Sequence, residues 1–151
     1  MNVNAKPLSE LGRLEQCLKD ASTPFKAASQ KIISNGCNDD EPQTYMIQIG
    51  IVEIYRQSNG LLIGIATAPF IFGLTAGMSN NCREYMMVAQ TPCAGFYLPA
   101  VTTRQLIQRT SLWWEAFCWL SWINHLLGVR DKQLVGNSSY SQIRSMLINM
   151  S

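Results

Sequence analysis

Between Tyr45 and Gly73 the chain alternates apolar and polar positions with a period of two, the signature of strands that bury one face. Val52 and Ile54 alternate with Glu53 and Tyr55 on one side of Ser58-Asn59-Gly60, and Leu61, Ile63 and Ile65 keep the period on the other. Asn-Gly between two such runs predicts an antiparallel hairpin closed by a tight turn of primed type. Gly50, Gly64 and Gly73 stand at or near predicted strand ends, where a missing Cβ permits bulges and corners that curl a sheet into a barrel or roll.

The period changes outside this region. Leu8, Leu11, Leu14 and Leu18 recur at spacings of three and four, which predicts an amphipathic helix over Leu8 to Ala21 that ends before Pro24. Phe25 to Ser34 reads as a first strand, followed by a polar loop from Asn35 to Pro42. Thr75 to Cys82 reads as a connection in which Met78 covers the interior of the roll, and strand character resumes at Tyr85 to Ala89 and Gly95 to Leu98. Pro99 closes the sheet region, and Thr102 or Thr103 is placed to cap a short helix through Gln108.

From Leu112 to Val135 a long helix is predicted whose first half, LWWEAFCWLSWINHLL, is apolar on nearly every side and holds all four tryptophans. Glu115, Asn124 and His125 interrupt the run, and it falls short of the ~20 apolar residues of a membrane span. A helix apolar all round needs two partners. The roll covers one side, and the other points to the same helix of a second subunit, with Trp113, Phe117, Trp119, Leu120, Trp122, Ile123 and Leu127 as the expected homodimer contacts. Gly136-Asn137 reads as a helix stop, and Ser139 with Gln142 as a capping box for a helix through Met150.

These pieces resemble a known family. Tyr45, Ile47, Gly50 and Val52, the Asn59-Gly60 turn, and Pro69-Phe70-Ile71-Phe72-Gly73 resemble the β-roll of cyclic-nucleotide-binding domains in catabolite-activator-type (Crp-Fnr) bacterial regulators. The order continues through Arg83, Ala89 and Arg104 to Gln108, so the resemblance spans most of the chain. Ala68 to Leu74, Glu115 to Trp119 and Arg130 to Leu134 are similar to a divergent enterobacterial branch associated with oxidative stress.

The resemblance implies an α+β fold: a jelly-roll-like antiparallel β-roll with an N-terminal helix over residues 1–111, and a dimerisation helix over 112–136. Residues 137–151 would begin a hinge helix, with DNA reached only through a C-terminal domain absent from this sequence. The family holds its cyclic phosphate with a Phe-Gly-Glu loop and a later Arg-Ser/Thr-Ala segment. Here Gly73 matches the glycine, but Leu74 stands at the glutamate. Arg83 matches the arginine, while Glu84 replaces the hydroxyl residue and Tyr85 the alanine. Leu74 offers no acceptor to a ribose hydroxyl, and Glu84 sets a carboxylate where a phosphate would sit. The implied function is a sensor and dimerisation module of a transcription regulator that has lost cyclic-nucleotide binding, with its effector unidentified. A stand-alone small-ligand-binding roll and a cupin-like metal enzyme are the rivals.

Composition trims these readings. The 151 residues suit one domain with a sizeable core, about 70% of the unfolded surface being buried at this length. A net charge of +2 with scattered Lys and Arg gives no basic stripe for nucleic acid. The amino terminus lacks the pattern of a signal peptide, so the protein is read as cytoplasmic. Cys17, Cys37, Cys82, Cys93 and Cys118 are odd in number with no C-x-x-C, which argues against a disulfide framework or zinc site, and Cys118 is expected to be buried. One histidine, His125, cannot furnish the metal set of a cupin, and no Ser-His-Asp set or phosphate-cradling glycine loop is present. Neither enzyme activity nor a cofactor or metal is expected.

Overall fold

In the computed structural model, residues 5–35, 42–74 and 85–134 are described, with side chains described to residue 126. Among the described residues, eight strands form two four-stranded antiparallel sheets. The elements run α1 (Leu8–Lys19), β1 (Thr23–Ala27), β2 (Ile32–Ser34), β3 (Gln43–Ile49), β4 (Ile51–Arg56), β5 (Leu62–Thr67), β6 (Phe70–Phe72), β7 (Tyr85–Ala89), β8 (Cys93–Pro99), α2 (Ala100–Thr110) and α3 (Trp113–Leu134). One sheet has the order β1-β8-β3-β6 and the other β2-β7-β4-β5. The chain changes sheet after β1, β2, β3, β5, β6 and β7, which is the jelly-roll-like route expected of a roll.

The corner at Gly50 shows why the residue type matters. Its φ is +110°, and a Cβ there would lie 2.6 Å from Cys93 Sγ and 2.7 Å from the Pro92 carbonyl oxygen. Both backbone freedom and close approach exclude a side chain. Backbone bonds from Ala68 N to Gly50 O (3.0 Å) and Gln90 N to Ile51 O (2.8 Å) tie neighbouring corners to it.

The core fills the space that period two assigns to it. On β4, Val52, Ile54 and Arg56 are buried, and on β7, Tyr85, Met87 and Ala89 pair with them in register. Leu11, Leu14 and Leu18 form the buried stripe of α1.

Several local expectations are corrected. Leu8 is 59% exposed and lies outside that stripe. The helix α1 ends at Lys19, and Pro24 belongs to β1, an edge strand where a missing N–H is tolerated. Phe25 to Ser34 is two strands in different sheets, parted by a turn with Gln30 at φ 71°. The hairpin stands, but its loop is four residues long: Arg56 N bonds Leu61 O (2.8 Å), Gly60 N bonds Arg56 O (2.8 Å), and of the loop residues only Gly60 has positive φ. Asn59 instead accepts a bond from Leu61 N on its side-chain oxygen at 3.1 Å. A register shift opposite Ile54 and Tyr55 breaks the alternation of β5, so Ile63 is buried while Ile65 is 45% exposed. No threonine caps α2. It starts straight after Pro99, whose carbonyl accepts a bond from Thr103 Oγ1 at 3.2 Å. The predicted roles of Met78, of Gly136-Asn137 and of the last helix lie outside the described residues.

Candidate functional site

At the end of β6 the chain turns through Gly73 at φ +86°, with Thr44 Oγ1 donating to its carbonyl at 3.4 Å. A Cβ at Gly73 would run into the Gln43 carbonyl oxygen, so this end of β6 lies against β3 only because the residue is glycine. Leu74 follows and is 3% exposed, within the core. The position expected to face a ligand hydroxyl therefore carries buried hydrocarbon.

Across the roll, Tyr85 opens β7 and pairs in register with Arg56 at the end of β4. Both are buried, at 7% and 6% exposure, and each has an interaction partner. Tyr85 thus fills interior space. Arg83 and Glu84 lie outside the described residues, so the structure brings together Gly73 with Leu74 and Tyr85 with Arg56 but does not relate either pair to Arg83.

Sequence reasoning missed Arg56. The signal was available, because Arg56 is the next inward position after Val52 and Ile54 in a period of two. A guanidinium at such a position requires partners, since an uncompensated buried charge costs several kcal/mol (~3–5).

The second feature is the seat of α3 on the roll. Trp119 and Leu120, expected at a partner surface, are each 1% exposed within the protomer. Trp119 Nε1 donates to the Ile71 carbonyl at 3.0 Å, its ring meets Phe70 edge-on at 5.3 Å, and it lies 5.1 Å from Trp122. These residues are core, because β6 is a short edge strand and α3 supplies the cover it lacks. Trp122 and Ile123 are half-buried against the same core, and the Leu127 side chain lies outside the described residues.

Open surface is found instead at the start of the helix. Trp113 is 40% exposed and Trp114 58%, with Phe117 half-buried and stacked on Trp114 at 5.8 Å. Trp114 was not among the expected contacts. Leu62 and Ile65 add apolar surface on β5, and Leu61 just before it; β5 is the edge strand that α3 packs against. His125 is exposed. Among the described residues no helix is long and apolar enough to cross a membrane, and no three His, Cys, Asp or Glu side chains come together.

Burial acts on two of the described thiols. Cys118 is 1% exposed, and burial, then the charges of Glu10 and Glu115, push its pKa up. Burial also raises that of Cys93, whose thiol donates to the Ile51 and Thr91 carbonyls at 3.4 and 3.2 Å. Cys17 is half-buried beside Thr110 Oγ1 at 3.5 Å, and Cys37 and Cys82 lie outside the described residues.

No family model matches the chain. Among curated proteins it is 40% identical over 146 residues to the inhibitor of hydrogen peroxide resistance of Salmonella typhimurium, covering 97% of this chain and 70% of the relative. The protein of that name in Escherichia coli is 41% identical over 147 residues, covering 96% and 70%. Among solved structures, a CooA mutant from Carboxydothermus hydrogenoformans superposes with a TM-score of 0.64 at 14% identity over 97% of each chain. A catabolite activator protein from Thermus thermophilus gives 0.60 at 18% over 83% of this chain and 57% of that one. The sensor domain of the transcriptional regulator DNR from Pseudomonas aeruginosa gives 0.59 at 16%, covering 85% and 90%. At these identities the structural likeness is one of fold, the cyclic-nucleotide-binding-like β-roll.

Proposed function

The chain belongs to the family of the inhibitor of hydrogen peroxide resistance, and from that premise we propose that it is the sensor and dimerisation module of a Crp-Fnr-like transcription regulator that does not use a cyclic nucleotide. The observation that carries the loss of the nucleotide is Leu74. Where the resembled family places a glutamate, this chain buries a leucine at 3% exposure. A ribose hydroxyl brought there would shed water and gain no acceptor, a penalty of ~1–3 kcal/mol. Tyr85 adds bulk on the interior face. A module of this kind acts in the cytoplasm, in the response to oxidative stress that the relatives' name indicates. It reaches DNA through a separate C-terminal domain, and its work is regulation, not catalysis.

Dimerisation is proposed through α3, with the contact surface shifted from Trp119 and Leu120 to Trp113, Trp114 and Phe117, together with the exposed Leu62 and Ile65 of β5. Exposed apolar side chains of this size are what a subunit interface covers. Native mass spectrometry of freshly purified protein tests both parts at once, reading subunit count and retained small molecules. The expected spectrum shows twice the 16.9 kDa chain mass with no nucleotide adduct. A monomer at all concentrations, or a dimer carrying cyclic nucleotide, counts against it.

A further inference from the structure

Lys6 occupies an unusual place. It precedes α1, yet its ammonium donates to the Thr67 carbonyl at 2.7 Å, at the end of β5, and to the Pro69 carbonyl at 2.9 Å, in the connection to β6. The same nitrogen sits over the Trp122 ring, 5.6 Å from its centroid. One side chain thus touches the N-terminal segment, the corner of the roll and the long helix. Half-burial lowers its pKa, a cost that two carbonyl acceptors and an aromatic face offset.

The position along α3 gives this contact its meaning. Glu115, near the start of the helix, is tied to α1 by Arg13 Nε at 2.8 Å, and Trp119 is tied to β6 through the Ile71 carbonyl. Trp122 comes next. After it, Ile123 and Leu126 are only partly covered and His125 is exposed. Lys6 therefore holds the helix where it begins to leave the roll.

We propose that the segment before α1 is a latch, in which the Lys6 ammonium pins Trp122 of α3 to the β5–β6 corner and so fixes the direction in which the helix leaves the roll. Withdrawing Lys6 frees the later part of α3 while Arg13–Glu115 and Trp119 keep its start in place. A partner that competes for Lys6, or a modification that removes its charge, would thereby redirect the helix. The latch goes beyond the proposed function and can be tested without it, since the readout uses neither ligand nor DNA.

Hydrogen exchange of the full 151-residue chain followed by mass spectrometry reads it. Lys6→Met keeps the aliphatic stem and removes the ammonium, and Lys6→Arg keeps a cation. The expected result is exchange about tenfold faster or more at residues 119–126 in Lys6→Met, with wild-type rates in β4 and β5 and near-wild-type rates throughout Lys6→Arg. Unchanged rates at 119–126 in Lys6→Met overturn the latch. So does an equal rise in β4 and β5, which marks a general loss of stability, or a Lys6→Arg variant that behaves like Lys6→Met.

Discussion

Replacing Trp119 by Phe separates the two roles an apolar helix can give a tryptophan. The indole is 1% exposed, its Nε1 donates to the Ile71 carbonyl at 3.0 Å, and its ring lies 5.3 Å from Phe70 and 5.1 Å from Trp122. Phenylalanine keeps much of the edge-on contact with Phe70 and removes the donor. Losing that buried bond costs ~1–3 kcal/mol, and weakening the contact with Trp122 adds about 0.5–1 kcal/mol. A total of roughly 2–4 kcal/mol lowers the melting temperature by about 4–16 °C at this chain length. Urea unfolding followed by circular dichroism at two protein concentrations checks this. The loss should appear at both, because the missing interactions lie inside one protomer. Trp114→Ala is the counterpart. At 58% exposure, it should leave the stability of a dilute protomer within about 0.5 kcal/mol while weakening association. A Trp119→Phe variant as stable as wild type but impaired in association would refute the placement of Trp119 in the core.

Other outcomes follow from the same structure. Gly73→Ala forces a Cβ toward the Gln43 carbonyl at φ +86° and should cost ~1–3 kcal/mol, read as a lower urea midpoint; an unchanged midpoint would mean that β6 ends differently. Arg13→Ala breaks the 2.8 Å pair with Glu115, but the arginine is half exposed, so the loss should stay below about 1 kcal/mol and shrink with added salt. Burial keeps the Cys93 and Cys118 thiols protonated where unfolded thiols ionise, so the folded chain holds protons that the unfolded chain has lost. Stability should then fall as pH rises from about 8.5, and the Cys93→Ala, Cys118→Ala double variant should flatten that slope in a series of urea melts from pH 8 to 10.

Period two made the strands from β3 to β6 legible, because burial on one face writes itself directly into the side-chain pattern. It failed where the backbone departs from the ideal ladder: the register shift opposite Ile54 reversed Ile65, and Gln30 divided one apparent strand between two sheets. All four tryptophans lie in one apolar helix, but a pattern apolar on every side cannot say which side meets the roll. Only packing against Phe70 and Ile71 assigned Trp119 to the core and left Trp114 outside. Gly73 was readable as a corner at a strand end, where its φ is +86°. Arg56 was overlooked although its inward position follows from the same alternation. The Lys6 contacts join residues more than sixty apart in sequence and leave no local signal.

Isothermal titration of cyclic AMP and cyclic GMP into the purified chain tests most directly the claim that this roll senses without a cyclic nucleotide. On the proposed reading, which puts the buried Leu74 at the glutamate position and Glu84 at the hydroxyl position, two lost partners at ~1–3 kcal/mol each turn micromolar affinity into roughly millimolar. The account predicts no saturable heat from either nucleotide at low micromolar concentration. Saturable binding in that range, abolished by Arg83→Ala, would contradict it.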